Sequence, residues 1–337
     1  MSINLAIVGL GRVGTIHARN AYREADLGLS WVVDADVDKA RAFGDELNCR
    51  WTADIREVLA DPDVTGVAVC TPTLTHYDYV KQALEAGKHV FAEKPLGIDL
   101  EQIDECYGLA DERKRILFLA FQRRYDPAFA KLIATARSGE LGQVQFVRST
   151  SRDSPMPSID YLKTSCGIFH DCLVHDLDLI CQSLEAFPIE VHTHAHCFNS
   201  EIEAIDDVDT VHVSLKFASG ALASIETSRR SEYGYDQRLE ILGSGGMGQV
   251  ENPVSDSLLR STKKGSEMSP IEHSFPQRYR VAYREELKAF GRCVREGATA
   301  PVTHEHARMN YVVAEAMEIS HREGRPVTLE LDQPFTS

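Results

Sequence analysis

The segment Gly9-Leu10-Gly11-Arg12-Val13-Gly14 constrains this chain more than any other. Glycine triplets arise by chance, so its weight comes from context. The apolar run Ile3-Asn4-Leu5-Ala6-Ile7-Val8 precedes it, and a helical pattern from Thr15 to Arg23 follows. A second strand pattern, Leu29-Ser30-Trp31-Val32-Val33, then ends in Asp34, twenty residues beyond Gly14, where a ribose-binding acid is expected. Gly9 permits the tight turn, Gly11 lets the backbone approach a pyrophosphate, and Gly14 lets helix and strand pack closely. Arg12 and Val13 sit at the start of the helix, whose free N–H groups suit phosphates. The segment predicts a dinucleotide site at the edge of an α/β sheet.

The first third of the chain keeps that rhythm. Strands expected at 3–8, 29–33, 66–70, 88–92 and 116–120 alternate with helical patterns near 38–47, 54–60, 75–86 and 100–114. The strands are continuous apolar runs, as suits parallel strands covered on both faces, and predict a Rossmann doubly wound parallel sheet. Ligands of such a sheet sit outside the C-terminal strand ends. With 337 residues the chain has room for a second core. After residue 122 come helical patterns near 127–138 and 172–183 and strand patterns at 143–152, 188–198, 207–217, 221–230 and 236–243. Many of these strands alternate, and Gly220 and the Gly243–Gly248 cluster read as punctuation between them. Helices near 277–296 and 304–322 close the chain, and the polar stretch Pro253–Pro276 reads as a mobile loop. The expected domains are therefore 1–122, the dinucleotide-binding unit, and 123–337, an α+β unit with a large open-faced, mostly antiparallel sheet.

Composition narrows the partners. Acidic residues number 51 against 36 Lys and Arg, a net charge of −15 that argues against nucleic acid or an anionic membrane. No apolar run approaches the roughly 18 residues of a membrane span. The N-terminus enters a strand without the pattern of a signal peptide, and eight scattered cysteines include no C-x-x-C pair. They read as small buried apolar side chains in a reducing compartment, so a soluble, cytoplasmic protein is expected.

Three segments could carry chemistry. Glu93-Lys94-Pro95 follows the strand at 88–92 and so falls at the ligand edge of the sheet. A lysine there can bond a nicotinamide-ribose hydroxyl and place positive charge beside an oxygen that becomes an alkoxide. Alone, the tripeptide would read as an ordinary surface lysine; its place after such a strand gives it weight. Thr71-Pro72-Thr73-Leu74-Thr75-His76 follows the strand at 66–70, a loop that skirts a cofactor while Thr73 or Thr75 caps the next helix. Thr71, Pro72, His76, Glu93 and Lys94 are thus the expected cofactor-side residues beyond the glycine loop. In the second domain Asp171 and His175, four apart, share a helical face. Histidine suits removal of a hydroxyl proton, and a carboxylate can orient it, although the spacing equally suits a surface pair that supports a helix. His170, His175 and Asp176 form only a fragment of a metal-ligand set, and no metal is expected. His192, His194 and His196 alternate along a strand and read as a polar stripe on an open or interface-forming sheet face.

Taken in order, GLGRVG, T-P-x-x-x-H, A-E-K-P-L, F-Q-R-R-Y-D-P (121–127), Asp171-x-x-x-His175 and Tyr233-Gly234-Tyr235-Asp236-Gln237-Arg238 resemble the glucose–fructose oxidoreductase/inositol dehydrogenase (Gfo/Idh/MocA) family over nearly the whole chain. Ser151-Arg152-Asp153, the Gly167-Ile168-Phe169-x-Asp171 segment and the Tyr-Gly-Tyr-Asp run are most like inositol 2-dehydrogenases. The resemblance implies that Lys94, Asp171 and His175 are catalytic, and that Arg123, Asp153 and Tyr235 contact substrate hydroxyls. It also implies a cis bond before Pro95 and a homodimer or homotetramer built through the open C-terminal sheet. Gln122 departs from the Asn or Met of many relatives, which bears on substrate identity. The implied activity is NAD-dependent oxidation of a secondary hydroxyl of a cyclic polyol held between the domains, foremost myo-inositol to 2-keto-myo-inositol. Another cyclitol, sugar or anhydrosugar is the near alternative. A non-catalytic NAD-binding regulator is the alternative of another class, and the joint presence of Lys94, Asp171 and His175 counts against it. Asp34 is followed by Ala35 and Asp36, with no Arg or Ser beside it for a 2′-phosphate, which favours NAD over NADP.

Overall fold

Six short strands build the first sheet: β1 (Ile3–Val8), β2 (Leu27–Val33), β3 (Arg50–Thr52), β4 (Gly66–Val69), β5 (His89–Glu93) and β6 (Leu117–Ala120). In the computed structural model, which describes residues 3–330, all pair in parallel in the order β3-β2-β1-β4-β5-β6. The order reverses between β1 and β4, the switch point at which such sheets bind ligands. Every residue of β4 and β6 is buried, which accounts for their unbroken apolar runs. β3 was not expected: two of its three residues are exposed, so no apolar run marks it. Aspartates start three of the intervening helices, Asp36, Asp54 and Asp99 each accepting a backbone N–H of the first turn.

The helix Arg280–Glu296 changes the domain division. Its Leu287, Phe290 and Cys293 enter the core formed by Ile3, Leu5, Ile7, Phe91 and Phe118. The chain therefore does not divide into the continuous stretches 1–122 and 123–337. One unit runs to Tyr125 and takes in Val281–Arg308; the other comprises Asp126–Arg280 and resumes at Met309. Helical periodicity reveals an apolar face but not which sheet that face will cover. Residues 1, 2 and 331–337 of the expected domains lie outside the described residues.

The second unit contains β7 (Val144–Arg152), β8 (Glu190–His196), β9 (Thr210–Lys216), β10 (Leu222–Ser228), β11 (Asp236–Gly243), β12 (Gly246–Val250), β13 (Leu259–Thr262), β14 (Gly265–Met268) and β15 (Val327–Thr328). Its main sheet runs β12-β11-β7-β10-β9-β8-β15, antiparallel except for the pair β7 and β10. One register row, Val191, Leu215, Ala223, Val147 and Ile241, is wholly buried. On the opposite face the neighbouring row, Glu190, Lys216, Leu222, Phe146 and Leu242, is exposed or half-buried. The helix Val174–Leu184 packs against β7 and β10 and is buried at every residue from Val174 to Cys181.

One expectation about this unit gains its geometry and another is corrected. The Gly243–Gly248 cluster does separate two strands: β11 turns into β12 there, with Gly243 paired to Gly246. A Cβ on Gly243 would lie 2.1 Å from the Leu141 carbonyl oxygen, so the glycine marks a close backbone approach. Pro253–Pro276 is more than a loop, because it holds the hairpin of β13 and β14 and a bridge between Val254 and Ile271. All residues of that hairpin are exposed, and a strand pair with no buried face leaves no alternation to read. Among the described residues no helix is long and apolar enough to cross a membrane, and no disulfide forms.

Candidate active site

The glycine loop follows β1. Gly9 has φ of +89°, and a Cβ there would lie 2.7 Å from the Cys70 carbonyl oxygen; one on Gly14 would lie 1.8 Å from the Gly9 carbonyl oxygen. Around Gly11 no atom comes within 4 Å of where a Cβ would stand, so the loop is open there. The helix Arg12–Arg23 starts at Gly11 with no side-chain cap, leaving that role to an anion. At the end of β2 the Asp34 carboxylate accepts the Leu10 N–H at 2.8 Å and the Asp36 N–H at 3.0 Å, with Lys39 Nζ at 3.3 Å. Burial pushes its pKa up, but the two backbone bonds and Lys39 outweigh burial and hold it below the ordinary carboxylate value. Open space at Gly11, an uncapped helix start and an anchored acid fit a dinucleotide. Lys39 escaped the sequence reading, which looked for cations beside Asp34 and not one turn into the next helix.

The loops after β4 and β5 are tied to each other. Thr75 does not cap the helix His76–Glu85 by its side chain; its hydroxyl bonds Thr71 Oγ1 at 2.9 Å and the Pro72 carbonyl at 2.7 Å, closing the loop on itself. His76 is 2% exposed, with Nε2 2.7 Å from the Thr71 carbonyl oxygen and Nδ1 2.7 Å from that of Pro95. Burial lowers the His76 pKa, and the two carbonyls oppose that shift. Glu93, the last residue of β5, is buried and meets His17 Nε2 at 2.8 Å. Lys94 comes next, and its bond to Pro95 is cis. Gln122 and Arg123, in the short turn Gln122–Tyr125 after β6, are also buried.

In the second unit the chain winds into a single π-helical turn, Phe169–Leu173, before the helix Val174–Leu184. Such wide turns are uncommon and favour functional positions. Asp171 lies in it, and both Asp171 and His175 are 7% exposed, which removes the surface-pair reading. Asp171 Oδ1 accepts the Tyr161 hydroxyl at 2.8 Å, and Oδ2 accepts Arg229 Nη1 at 2.6 Å. Arg229 is wholly buried, lies 3.6 Å from Asp207, and reaches Cys172 Sγ at 3.0 Å; that sulfur is 3.7 Å from Asp153 Oδ2. Burial disfavours the Arg229 charge, but Cys172, Asp171 and Asp153 outweigh burial and raise its pKa. Burial, then the Asp171 charge and bond, push Tyr161 upward, so it stays a donor.

Of the expected substrate contacts, Asp153 thus joins the Asp171 cluster. Tyr235 is buried in the same unit, edge-on to Tyr279 at 5.9 Å, and Arg123 belongs to the first unit. Tyr161 and Arg229 were missed. Arg229 had a signal: Ala223, Ile225 and Thr227 point into the core at every second position of β10, and Arg229 continues that series. His192 and His194 sit on β8 with rings 4.5 Å apart, and His194 faces His212 of β9.

Comparison with known proteins adds findings of three kinds. A model of an oxidoreductase family with an NAD-binding Rossmann fold matches residues 3–121, and a model of the GFO/IDH/MocA C-terminal domain matches residues 129–249. Myo-inositol 2-dehydrogenase of Thermotoga maritima is 37% identical over 330 residues, covering 97% of this chain and 99% of the relative. The scyllo-inositol 2-dehydrogenase (NAD(+)) of Bacillus subtilis is 36% identical over 338 residues, covering 99% and 98%. A crystal structure of a myo-inositol dehydrogenase from Corynebacterium glutamicum superposes with a TM-score of 0.93 at 32% identity, covering 98% of this chain and 100% of that one.

Proposed function

Since the chain belongs to the GFO/IDH/MocA family of NAD-binding oxidoreductases, we propose that it oxidises a secondary hydroxyl of a cyclic polyol, converting myo-inositol to 2-keto-myo-inositol. The observation that carries this reading is a buried acid–histidine set in a chain that also holds a dinucleotide loop. Asp171 is held by Tyr161 and Arg229, and buried His175 follows it by four residues. Relatives named inositol 2-dehydrogenases align over 97% or more of the chain.

NAD⁺, when bound, supplies the hydride acceptor. The backbone of Gly9, Gly11, Arg12, Val13 and Gly14 would hold the pyrophosphate, and Asp34 would hold the adenosine ribose diol. Thr71, Pro72, His76, Glu93 and Lys94 shape the strand ends toward the nicotinamide. His175 takes the hydroxyl proton, and Asp171 orients His175 or the substrate. Lys94 would stabilise the oxygen as it becomes an alkoxide, so that the carbinol carbon can lose its hydride to the acceptor and become a ketone. Arg123, Asp153 and Tyr235 bond the other ring hydroxyls. By the same reading, copies associate as a dimer or tetramer through the open sheet face and work in the reducing cytoplasm; the exposed Leu222, Leu242 and Met247 on that face support the first point.

The test mixes purified protein and NAD⁺ with myo-inositol, scyllo-inositol or glucose, with NADP⁺ in parallel, and pairs a keto-sugar with NADH for the reverse direction. NADH formation from an inositol supports the proposal. Tight NAD⁺ binding without turnover in either direction overturns it and favours a regulatory protein.

A further inference from the structure

Beneath the glycine loop lies a group of side chains of which the steps above use only Glu93, as a strand-end residue. His17 sits on the helix Arg12–Arg23, Glu93 ends β5, and Glu286 belongs to the helix Arg280–Glu296. His17 and Glu286 are 0% exposed and Glu93 is 8% exposed. Their ligand atoms all lie within 4.8 Å of one another, and His17 Nε2 meets Glu93 Oε1 at 2.8 Å. The His17 ring lies edge-on against Phe91 at 4.8 Å and Tyr283 at 5.6 Å, which restrict how the ring can turn. Cys70, which follows β4, faces the same two carboxylates; burial and both charges push its thiol well above the ordinary value. Its backbone carbonyl also bounds Gly9, and its Cβ would lie 3.2 Å from one on Gly14.

Two polar carboxylates and an imidazole in an apolar core are costly unless they are bonded to each other. What they join is informative. Glu93 is covalently next to Lys94, and His17 stands on the helix whose start receives the phosphates. We propose that His17, Glu93 and Glu286 are positioning residues, a buried network that fixes the strand end carrying Lys94 against the cofactor helix. The role assigned to Lys94 in this inference rests on the polyol-dehydrogenase reading, but the mechanical link does not. Misplacing a charge by about 1 Å can cost up to about 100-fold in rate, so a network that sets the position of Lys94 acts on kcat.

The experiment follows the acetylation rate of Lys94 by trace labelling with acetic anhydride and peptide mass spectrometry, in the full chain with and without NAD⁺. Lys131, exposed on the other unit, is the internal reference. The variants are His17→Leu, His17→Gln, which keeps a donor near the Nε2 position, and Glu286→Gln, which keeps shape if His17→Leu does not fold. The network predicts a changed Lys94 rate in His17→Leu and Glu286→Gln at constant Lys131 rate, with most of the wild-type rate retained in His17→Gln. It also predicts kcat at least about 10-fold lower in His17→Leu, with the KM for polyol little changed. A Lys94 rate equal to wild type in both His17→Leu and Glu286→Gln overturns the inference. Wild-type protein that turns over no polyol while these Lys94 shifts persist overturns the assigned reaction and leaves the network standing.

Discussion

Replacing Arg229 by methionine separates a structural ion pair from a surface one. Arg229 is 0% exposed and sits 2.6 Å from the Asp171 carboxylate and 3.6 Å from that of Asp207. Methionine fills part of the volume but leaves two carboxylates inside the protein without their guanidinium. Removing one partner of a buried pair costs about 3–5 kcal/mol, and the second carboxylate places this site toward the upper end. At about 1.4 kcal/mol per factor of ten, the folded-to-unfolded ratio falls by more than about 100-fold. Urea unfolding followed by circular dichroism reads this as a lower midpoint at unchanged slope. The double variant Arg229→Met with Asp171→Asn removes one of the stranded charges, so it recovers about 1–3 kcal/mol relative to the sum of the single losses. Because Arg229 also orients Asp171, kcat falls together with stability in the single variant. A loss below about 1 kcal/mol, or strict additivity in the cycle, would refute the reasoning.

Three further outcomes are expected. Lys94→Ala and His175→Ala each lower turnover by about 100-fold or more while the NAD⁺ dissociation constant, read by titration, stays within about 3-fold; normal turnover in both contradicts their roles. Asp34→Ser releases Lys39, which lies 3.3 Å from the carboxylate, and raises the NADP⁺ to NAD⁺ ratio of kcat/KM by about 10-fold or more; an unchanged ratio argues against Asp34 as the ribose acid. Burial, then Arg115, draws the His89 pKa down to about 4, in keeping with Nδ1 accepting the Ile116 N–H at 3.0 Å. The unfolded chain takes up that proton near pH 6.5 and the folded chain does not, so this contribution is complete above about 6.5 and is lost as pH falls toward about 4. Urea midpoints across that window should fall more steeply in wild type than in His89→Gln, and equal slopes would refute the assignment.

The legible parts of this chain are those whose physics is local. A strand buried on both faces needs a continuous apolar run, and the turn at Gly9 and the close approach at Gly14 exclude any side chain, so both show in sequence. β3 and the β13–β14 hairpin did not show because exposed strands carry no such demand. The surroundings of Asp171 were out of reach for another reason. Its partners Tyr161 and Arg229 lie 10 and 58 residues away, and only the fold brings them together. The π-helical turn at Phe169–Leu173 likewise has no composition signal, and the attachment of the helix Arg280–Glu296 to the first sheet is a choice among cores that periodicity leaves open.

The most direct test of the central claim follows one atom. Protein, NAD⁺ and myo-inositol carrying deuterium at C2 are incubated together, and the reduced nicotinamide is examined by mass spectrometry. The account predicts reduced cofactor carrying the deuterium, with a ketone at C2 of the ring. Reduced cofactor without the label, or no reduced cofactor while NAD⁺ is bound, would contradict it.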